Sequence, residues 1–163
     1  MEHSSEQFTG LLNVIIAGLL AAIPGIDREL RNRPAGLRTH MIVGMSAALI
    51  TVTARILFVD DSAARLITGF ITGVGFLGAG AIIQRGDEVH ALTTAASIWM
   101  VAMMGIVVAY ELYILAAGAT LILAFVLTIL RRFEKHVLNS RSTTMEPPTR
   151  AAQDKAENEG HPG

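Results

Sequence analysis

The sequence contains no cysteine, and this absence excludes disulfide bonds, thiolate metal sites and thiol catalysis. It also has no excess of basic residues: 13 Lys and Arg face 14 Asp and Glu, so a nucleic-acid-binding surface is not indicated. The first seven residues include Glu2 and Glu6 but neither Lys nor Arg, whereas a secretory signal begins with a positive segment. The apolar segment that follows is therefore predicted to be a retained first helix.

Long apolar blocks dominate the rest of the chain, and the charged residues are collected between them. Each block has about 17–20 residues, the length of a helix that crosses a hydrocarbon core of about 30 Å. The five blocks span residues 8–24, 39–58, 66–83, 91–110 and 112–130. Helices buried in a soluble bundle need a polar face, which the last three blocks lack. The sequence predicts an all-α, polytopic membrane protein with five transmembrane helices.

The lysines and arginines between the blocks predict the orientation of these helices. Those that alternate onto one side are Arg28, Arg31, Arg33, Arg38, Arg85, Arg131, Arg132, Lys135 and Arg141. The opposite side holds only Arg55 and Arg65. Because positive residues collect in cytoplasmic loops, the N-terminus is predicted outside and the C-terminus in the cytoplasm.

Three regions are predicted along the chain. Residues 1–7 form a short external N-terminus, and residues 8–133 form the transmembrane domain. Residues 134–163 form a cytoplasmic tail that is rich in proline, acidic and small polar residues. Such a segment buries too little apolar surface to offset its ordering entropy, so a disordered tail is predicted.

The third block is rich in glycine. It matches the dinucleotide pattern GxGxxG over residues 73–78, but that pattern requires a strand before a soluble helix, so this function is rejected. Small residues let helices approach closely in lipid, which predicts that the third helix is central and packs on two sides. The alternative is an unwound, substrate-binding break, as in many transporters. The predicted packing glycines are Gly69, Gly73, Gly75, Gly78 and Gly80.

Two arginines on the predicted outer side have two interpretations. Arg65 shares a helical face with Gly69 and Gly73, and Arg55 lies on a small-residue stripe of the second helix. Both are predicted to face protein, where they would form a polar, ligand-holding pocket. Alternatively, each extends to the headgroups and pairs with Asp60 or Asp61.

The loop after the first block carries acids and arginines between two prolines. Pro24 and Pro34 are predicted to break the helix on either side of this segment. The segment is interpreted as a positive anchor on anionic headgroups, or as an ion-pair network formed by Asp27, Arg28 and Glu29. Asp27 and Glu29 would not share a helix face, so a metal site is weakly supported and stays open.

The polar residues elsewhere indicate no catalysis. Thr93, Ser97 and Met104 share a face of the fourth helix and offer hydroxyls for interhelical hydrogen bonds. The histidines are interpreted as lying in loops and termini, and no pair has zinc-ligand spacing. Because no nucleophile–base pair is evident, an enzyme is not expected, and no cofactor is predicted.

Three segments resemble the MgtC/SapB family of bacterial inner-membrane proteins. They are GIDRELRNRPAGLRTHMIVG (25–44), RLITGFITGVGFLGAGAII (65–83) and ALTTAASIWMVAMMGIVVAYELY (91–113). Asp27 stands where the family usually has Glu, and Ala91 where it usually has Gly. The short polar tail makes the chain similar to the shorter, SapB-like members that lack a C-terminal cytoplasmic domain. The positions that match notable polar residues of the family are Asp27, Arg28, Glu29, Arg38, Thr39, Arg65, Thr93 and Thr94.

This resemblance implies a role in growth under magnesium limitation and, in pathogens, in survival within host cells. It implies regulation of other membrane proteins, with the ATP synthase as one partner, and the chain is expected to contact the bilayer and other membrane proteins. The first hypothesis is therefore a non-enzymatic membrane regulator. The alternative is a small cation or solute transporter or channel, for which five helices would require a homo-oligomer.

Overall fold

The computed structural model describes residues 2–58, 61–85 and 88–130. The predicted tail, residues 134–163, lies outside them, and the packing discussed below belongs to the compact unit that ends at Leu127. In chain order the elements are α1 (Glu2–Leu30), α2 (Leu37–Leu57), α3 (Ser62–Ala81), β1 (Ile83–Arg85), β2 (Glu88–His90), α4 (Leu92–Ala109), α5 (Tyr113–Phe125) and a π-helical turn (Val126–Leu130).

Four of the helices are long and apolar enough to cross a membrane. These are α1 to α4, each with at least 18 residues, while α5 with its π-helical turn forms a shorter apolar helix, Tyr113–Ile129. Large apolar side chains lie on the outside of the bundle, for example Phe76 at 83% and Ile114 at 92% exposure. Such side chains are costly in water and are satisfied by lipid tails. The predicted helical membrane architecture is confirmed at this level.

The prediction that Pro24 ends the first helix is wrong, because α1 continues through Pro24 to Leu30. A proline inside a helix removes one backbone hydrogen bond and costs about 3 kcal/mol. Close packing against α2 offsets this cost: Pro24 is buried, and a Cβ atom on Gly25 would lie 2.9 Å from the Cα atom of Leu37. The predicted break at Pro34 is confirmed, since Pro34 lies in the non-helical connection to α2.

The core is formed by small residues of α1, α2 and α4. A Cβ atom on Gly105 of α4 would lie 2.3 Å from the carbonyl oxygen of Gly44 on α2, so these two helices touch backbone to backbone. A Cβ atom on Gly44 would likewise lie 2.8 Å from the Cβ atom of Ala21 on α1. Lipid tails are as apolar as leucine, so close van der Waals contact of this kind is what holds membrane helices together.

The prediction that the third helix is central is also wrong. Along Ser62–Ala81, all of which the structure describes, only Val74 and Gly78 are buried. A Cβ atom on Gly78 would lie 3.6 Å from the Cβ atom of Ala95 on α4. The positions of Gly69, Gly73, Gly75 and Gly80 have no atom of another element within 4 Å of such a Cβ atom. The packing predicted for these four glycines is not met within one chain, because the backbones of α2 and α4 already fill the centre.

Two tight connections join the later helices. β1 and β2 form an antiparallel hairpin that pairs Ile83 with His90, and Ala91 follows with φ 69° before α4 begins. Between α4 and α5, Glu111 has φ 62°. A non-glycine residue in this left-handed region costs roughly 1–2 kcal/mol. The short α4–α5 connection agrees with the sequence pattern, in which little more than Glu111 separates two apolar blocks.

Candidate functional site

Arg28 is a buried charge at the last turn of α1. Its exposure is 6%, and its Nη2 atom donates a hydrogen bond to the Oγ1 atom of Thr94 on α4. Arg28 follows Ala21 by seven residues, which places both within about 20° on one helical face. Arg28 therefore reaches the buried face only because α1 continues through Pro24. A cation at a helix C-terminus is favoured by the helix dipole, which lowers part of its desolvation cost.

His40 lies beside this arginine site in the first turns of α2 and is fully buried. Its Nδ1 atom lies 3.0 Å from the carbonyl oxygen of Gly36, and its Nε2 atom lies 3.1 Å from the Oγ atom of Ser97. Since a carbonyl oxygen only accepts, the geometry places a proton on Nδ1. The interpretation of the histidines as loop and terminal residues is wrong for His40, which lies on the buried face of α2.

The Ser97 hydroxyl connects His40 to Thr94. Its Oγ atom lies 2.8 Å from the carbonyl oxygen of Thr94 as well as 3.1 Å from His40. A hydroxyl has one proton, so it donates to Thr94 when Nε2 is protonated and can donate to Nε2 when the imidazole is neutral. The cluster of Arg28, His40, Thr94 and Ser97, called here the polar cluster, thus forms one buried hydrogen-bonded set across three helices.

The Ser97–His40 contact also has the form of a nucleophile–base pair, which sequence analysis did not detect. Both side chains are at most 1% exposed, and the partner of Nδ1 is a backbone carbonyl rather than a carboxylate. A buried hydroxyl without access for a substrate acts as a structural hydrogen bond. The contact therefore supports packing of α2 against α4.

The acidic residues of the predicted ion-pair segment have separate partners. The Oδ1 atom of Asp27 lies 2.7 Å from the Nε atom of Arg31, one turn later on α1. The Oε2 atom of Glu29 accepts a hydrogen bond from the backbone N–H of Leu37 at 3.1 Å, which caps the first turn of α2. A Cβ atom on Gly36 would lie 1.7 Å from that oxygen, so a larger residue there would displace the Glu29 carboxylate from its contact with Leu37. Asp27 thus contacts its own helix, whereas Glu29 contacts the start of α2.

The remaining predicted polar positions lie outside the polar cluster. Arg38 and Thr93 are exposed, and Thr39 is half-buried. Arg65 is exposed as well, and its Nη2 atom donates to the Oγ atom of Ser62 at 2.7 Å. The prediction that Arg65 faces protein is wrong, since α3 turns this face away from the bundle. Among the described residues no group of three or more His, Asp or Glu side chains could hold a metal ion.

At the other end of α2, Arg55 contacts the end of α4 and the α4–α5 connection. Its Nη1 atom donates to the carbonyl oxygen of Ala109 and lies 3.9 Å from the Oε1 atom of Glu111. Its Cζ atom lies 5.2 Å from the ring centroid of Tyr110. Arg55 thus holds the end of α4, and of the two acids named as alternative partners Asp61 is not among its contacts. Asp60 lies outside the described residues.

Sequence analysis missed His40 and, on α4, grouped the exposed Thr93 with the buried Ser97. His40 precedes Gly44 by four residues, so the small-residue stripe noted on α2 already contained the signal for a buried histidine. On α4 the buried face carries Thr94, Ser97 and Val101, while the neighbouring Thr93 is exposed. A shift of one residue rotates a helical position by about 100°, which separates Thr94 from Thr93.

An apolar layer of small residues lies between the two ends of the bundle. Ala47, Ala48, Val101 and Ala102 are each 0% exposed, and they surround the backbone contact of Gly44 with Gly105. No gap of the size of a water molecule fits at such a contact. The polar cluster and the Arg55 end are therefore separated by a closely packed layer within one chain.

Four membrane-length helices, an apolar exterior and a buried polar cluster define a multi-pass membrane protein. The profile of the MgtC family matches residues 14–136. The chain belongs to the MgtC family.

The chain is similar to several proteins of this family. It is 31% identical over 137 residues to the candidate magnesium transporter YhiD of Escherichia coli (strain K12), covering 79% of this chain and 64% of YhiD. It is 34% identical over 137 residues to protein MgtC of Salmonella typhi, covering 84% of this chain and 59% of that protein. With protein MgtC of Brucella abortus (strain 2308) the identity is 38% over 115 residues, covering 71% and 48%.

The chain spans between about half and two thirds of the length of these relatives. No solved structure matches it.

Proposed function

We propose that this chain is a non-enzymatic regulator in the bacterial inner membrane that supports growth under magnesium limitation by binding another membrane protein through α3. Its membership of a family that includes MgtC supports the link to magnesium. The observation that supports action through a partner is the open glycine face of α3. Few residues of α3 pack against the other helices of the same chain, so this face is available to another protein.

The open face has the form that a transmembrane helix of a partner needs. Gly69, Gly73 and Gly80 lie within about 40° of one another on a straight helix, and nothing else in the described chain covers them. A small-residue face lets a second backbone approach closely, which is the main source of helix affinity in lipid. We propose that the occupant is an apolar helix of a different membrane protein; the ATP synthase is one candidate, from the family resemblance.

Photo-crosslinking in living cells tests this proposal. A photoreactive phenylalanine derivative replaces Phe76, which shares the face of Gly69 on α3, or, as a matched control, Phe125 on α5, since both side chains are exposed. We expect a discrete adduct with another membrane protein from position 76 and none from position 125. Adducts of equal yield from both positions, or adducts with lipid alone, would contradict the proposal. An adduct with a second copy of this chain would contradict a different protein as the partner and would indicate a homo-oligomer.

The proposed topology has five crossings, the N-terminus outside and the C-terminus in the cytoplasm. The arginines at the α1–α2 connection support it. Because the chain has no cysteine, single cysteines can be introduced and labelled with a membrane-impermeant maleimide. Labelling of intact cells is expected for Ser62→Cys and not for Asn32→Cys. The reverse result would invert the topology.

A transporter remains the second candidate, because YhiD carries the name of a candidate magnesium transporter. The apolar layer around Gly44 and Gly105 opposes a polar path through a single chain. Purified protein in liposomes is therefore expected to give no magnesium flux above that of empty liposomes. Saturable flux that is lost in Arg28→Gln would favour the transporter instead. An enzyme would be indicated by fluorophosphonate labelling that is lost in Ser97→Ala.

A further inference from the structure

Arg65 lies near the start of α3, on the open face of this helix. Val74, which packs against the bundle, follows Arg65 by nine residues, and at about 100° per residue the two positions are roughly 180° apart. Arg65 is accordingly exposed, and its Nη2 atom donates a hydrogen bond to the Oγ atom of Ser62 on its own helix. The charge of Arg65 is therefore directed away from the rest of the chain.

Among the described residues, no carboxylate forms an ion pair with Arg65. Asp61 precedes it by one helical turn, but the side chains of these two residues are not paired. Arg55 lies near the same connection, and there the chain supplies both the carbonyl oxygen of Ala109 and the carboxylate of Glu111. Within the described ranges the chain thus provides strong acceptors for one arginine and a serine hydroxyl for the other.

The start of a helix is an unfavourable place for a cation. The helix dipole places about half a positive elementary charge at the N-terminus, whereas Arg28 lies in the last turn of α1, where the dipole favours its charge. Asp61 is the N-cap residue of α3, and its side chain makes no capping hydrogen bond. A carboxylate beside Arg65 would therefore be attracted by the guanidinium and by the N-terminus of α3 together.

A helix that docks on the glycines of α3 also covers Arg65. Gly69 follows Arg65 by one turn and is rotated from it by about 40°, and its position has no atom of another element within 4 Å. Close approach of a partner backbone at Gly69 displaces lipid from the adjacent arginine. A charge enclosed between membrane helices is costly unless it is paired, so the arginine then needs an acceptor in the partner.

We infer that the helix that docks on α3 carries an aspartate or glutamate that pairs with Arg65 at the Ser62 end of α3. A carboxylate is the complement of this side chain, because its two oxygens accept two N–H donors of a guanidinium in parallel. The inference rests on the proposed binding of a partner through α3 and adds the charge that this partner carries. The ion pair fixes the register of the two helices, whereas the glycines allow their close approach.

Photo-crosslinking from position 76 in living cells tests this inference as well. Phe76 lies within about 20° of Arg65 and about 16 Å further along the helix, so a photoreactive side chain there reports docking and leaves the arginine in place. The yield of the adduct is compared for Arg65→Lys, Arg65→Gln and Arg65→Glu at equal protein levels in the membrane. We expect lysine to retain the yield within about threefold, glutamine to lower it at least about tenfold, and glutamate to abolish the adduct by repelling the carboxylate of the partner.

A control and a charge exchange separate the ion pair from general effects of charge. Asp61→Asn removes an exposed charge at the same end of α3 and is expected to leave the yield unchanged or higher. Mass spectrometry of the adduct identifies the partner helix, and replacement of its acid by arginine is expected to restore the adduct with Arg65→Glu.

The possible failures are distinguishable. An unchanged yield in Arg65→Gln would overturn the ion pair, leave binding through α3 standing and indicate that Arg65 contacts lipid headgroups. A partner helix without an acid near that membrane boundary, or an equal loss in Asp61→Asn, would also overturn the inference. Absence of any adduct from position 76 would contradict the proposed function together with it.

Discussion

Glycine has opposite environments in two regions of this protein. In the core of α1, α2 and α4, Gly105 and Gly44 bring two backbones into contact, and a Cβ atom on Gly105 would lie 2.3 Å from a carbonyl oxygen. In α3, by contrast, the position of Gly73 is open to the surroundings. The first kind of glycine is required by packing that the chain completes itself. The second kind is not required by any packing among the described residues of the chain, which is why a partner helix is proposed there.

The largest effect is expected from substitution in the core. Gly105→Leu forces a branched side chain against Gly44, Ala47 and Ala48, and overpacking of a close contact costs about 1–3 kcal/mol or more. Because this contact involves two backbones that cannot repack, we expect loss of the fold. It would be measured as loss of the cooperative thermal unfolding transition in detergent. Gly73→Ala on α3 is the matched control and should leave the transition temperature unchanged or higher. Equal destabilisation by both would remove the distinction between the two regions.

The buried arginine tests whether the polar cluster belongs to the core. Thr94→Val removes the hydroxyl that accepts from the Nη2 atom of Arg28, and loss of a buried hydrogen bond to a charged group costs about 1–3 kcal/mol. Chemical denaturation in detergent should therefore show a clear loss of stability. The adjacent Thr93→Val provides the control, since Thr93 is exposed and should change stability by less than about 0.5 kcal/mol. A larger effect at Thr93 would contradict the assigned helical face.

A smaller effect is expected at the serine that contacts His40. Ser97→Ala removes the hydrogen bond to Nε2 and to the carbonyl oxygen of Thr94, with an expected cost of about 1 kcal/mol. Ser46→Ala on the same bundle is the comparison, because Ser46 is exposed on α2. Thermal unfolding of the two variants should differ by a few degrees. Identical transitions would show that the Ser97–His40 contact contributes no stability.

The smallest effect concerns the start of α4. Ala91 has φ 69°, and glycine is permissive there, so Ala91→Gly should stabilise the protein by about 0.5–1 kcal/mol. Ala91→Val should destabilise it, because a branched side chain is strained in this conformation. Thermal unfolding in detergent measures both. Destabilisation by the glycine variant would show that the connection is not strained.

The apolar blocks predicted much of the fold because helix length and polarity are local properties of the chain. The α4–α5 turn at Glu111 and the break near Pro34 followed from the same local signals. Which helix is central depends on how backbones approach one another, and the density of glycine in α3 did not reveal it. The isolated Gly44 and Gly105 decided that question through a contact between distant parts of the chain.

The polar cluster was predictable only in part. Arg28 and Thr94 were named from the family resemblance, yet their contact depends on α1 continuing past Pro24, and a rule based on proline alone predicts the opposite. His40 and Ser97 are separated by 57 positions, so their contact becomes visible only once α2 and α4 are packed. For Arg55 the sequence left a polar pocket and a pair with Asp60 or Asp61 as alternatives, and its partner Glu111 comes from a connection that the sequence did not link to it.

Growth at limiting magnesium tests the central claim most directly, namely that α3 is a docking face rather than part of the core. A strain whose growth under this condition depends on the protein is complemented with Gly73→Leu or with Gly118→Leu, two substitutions at open positions of apolar helices. Both variants should fold and reach the membrane at equal levels. The account predicts that Gly118→Leu restores growth and Gly73→Leu does not, because leucine blocks close approach of a partner helix. Full restoration by Gly73→Leu would contradict it.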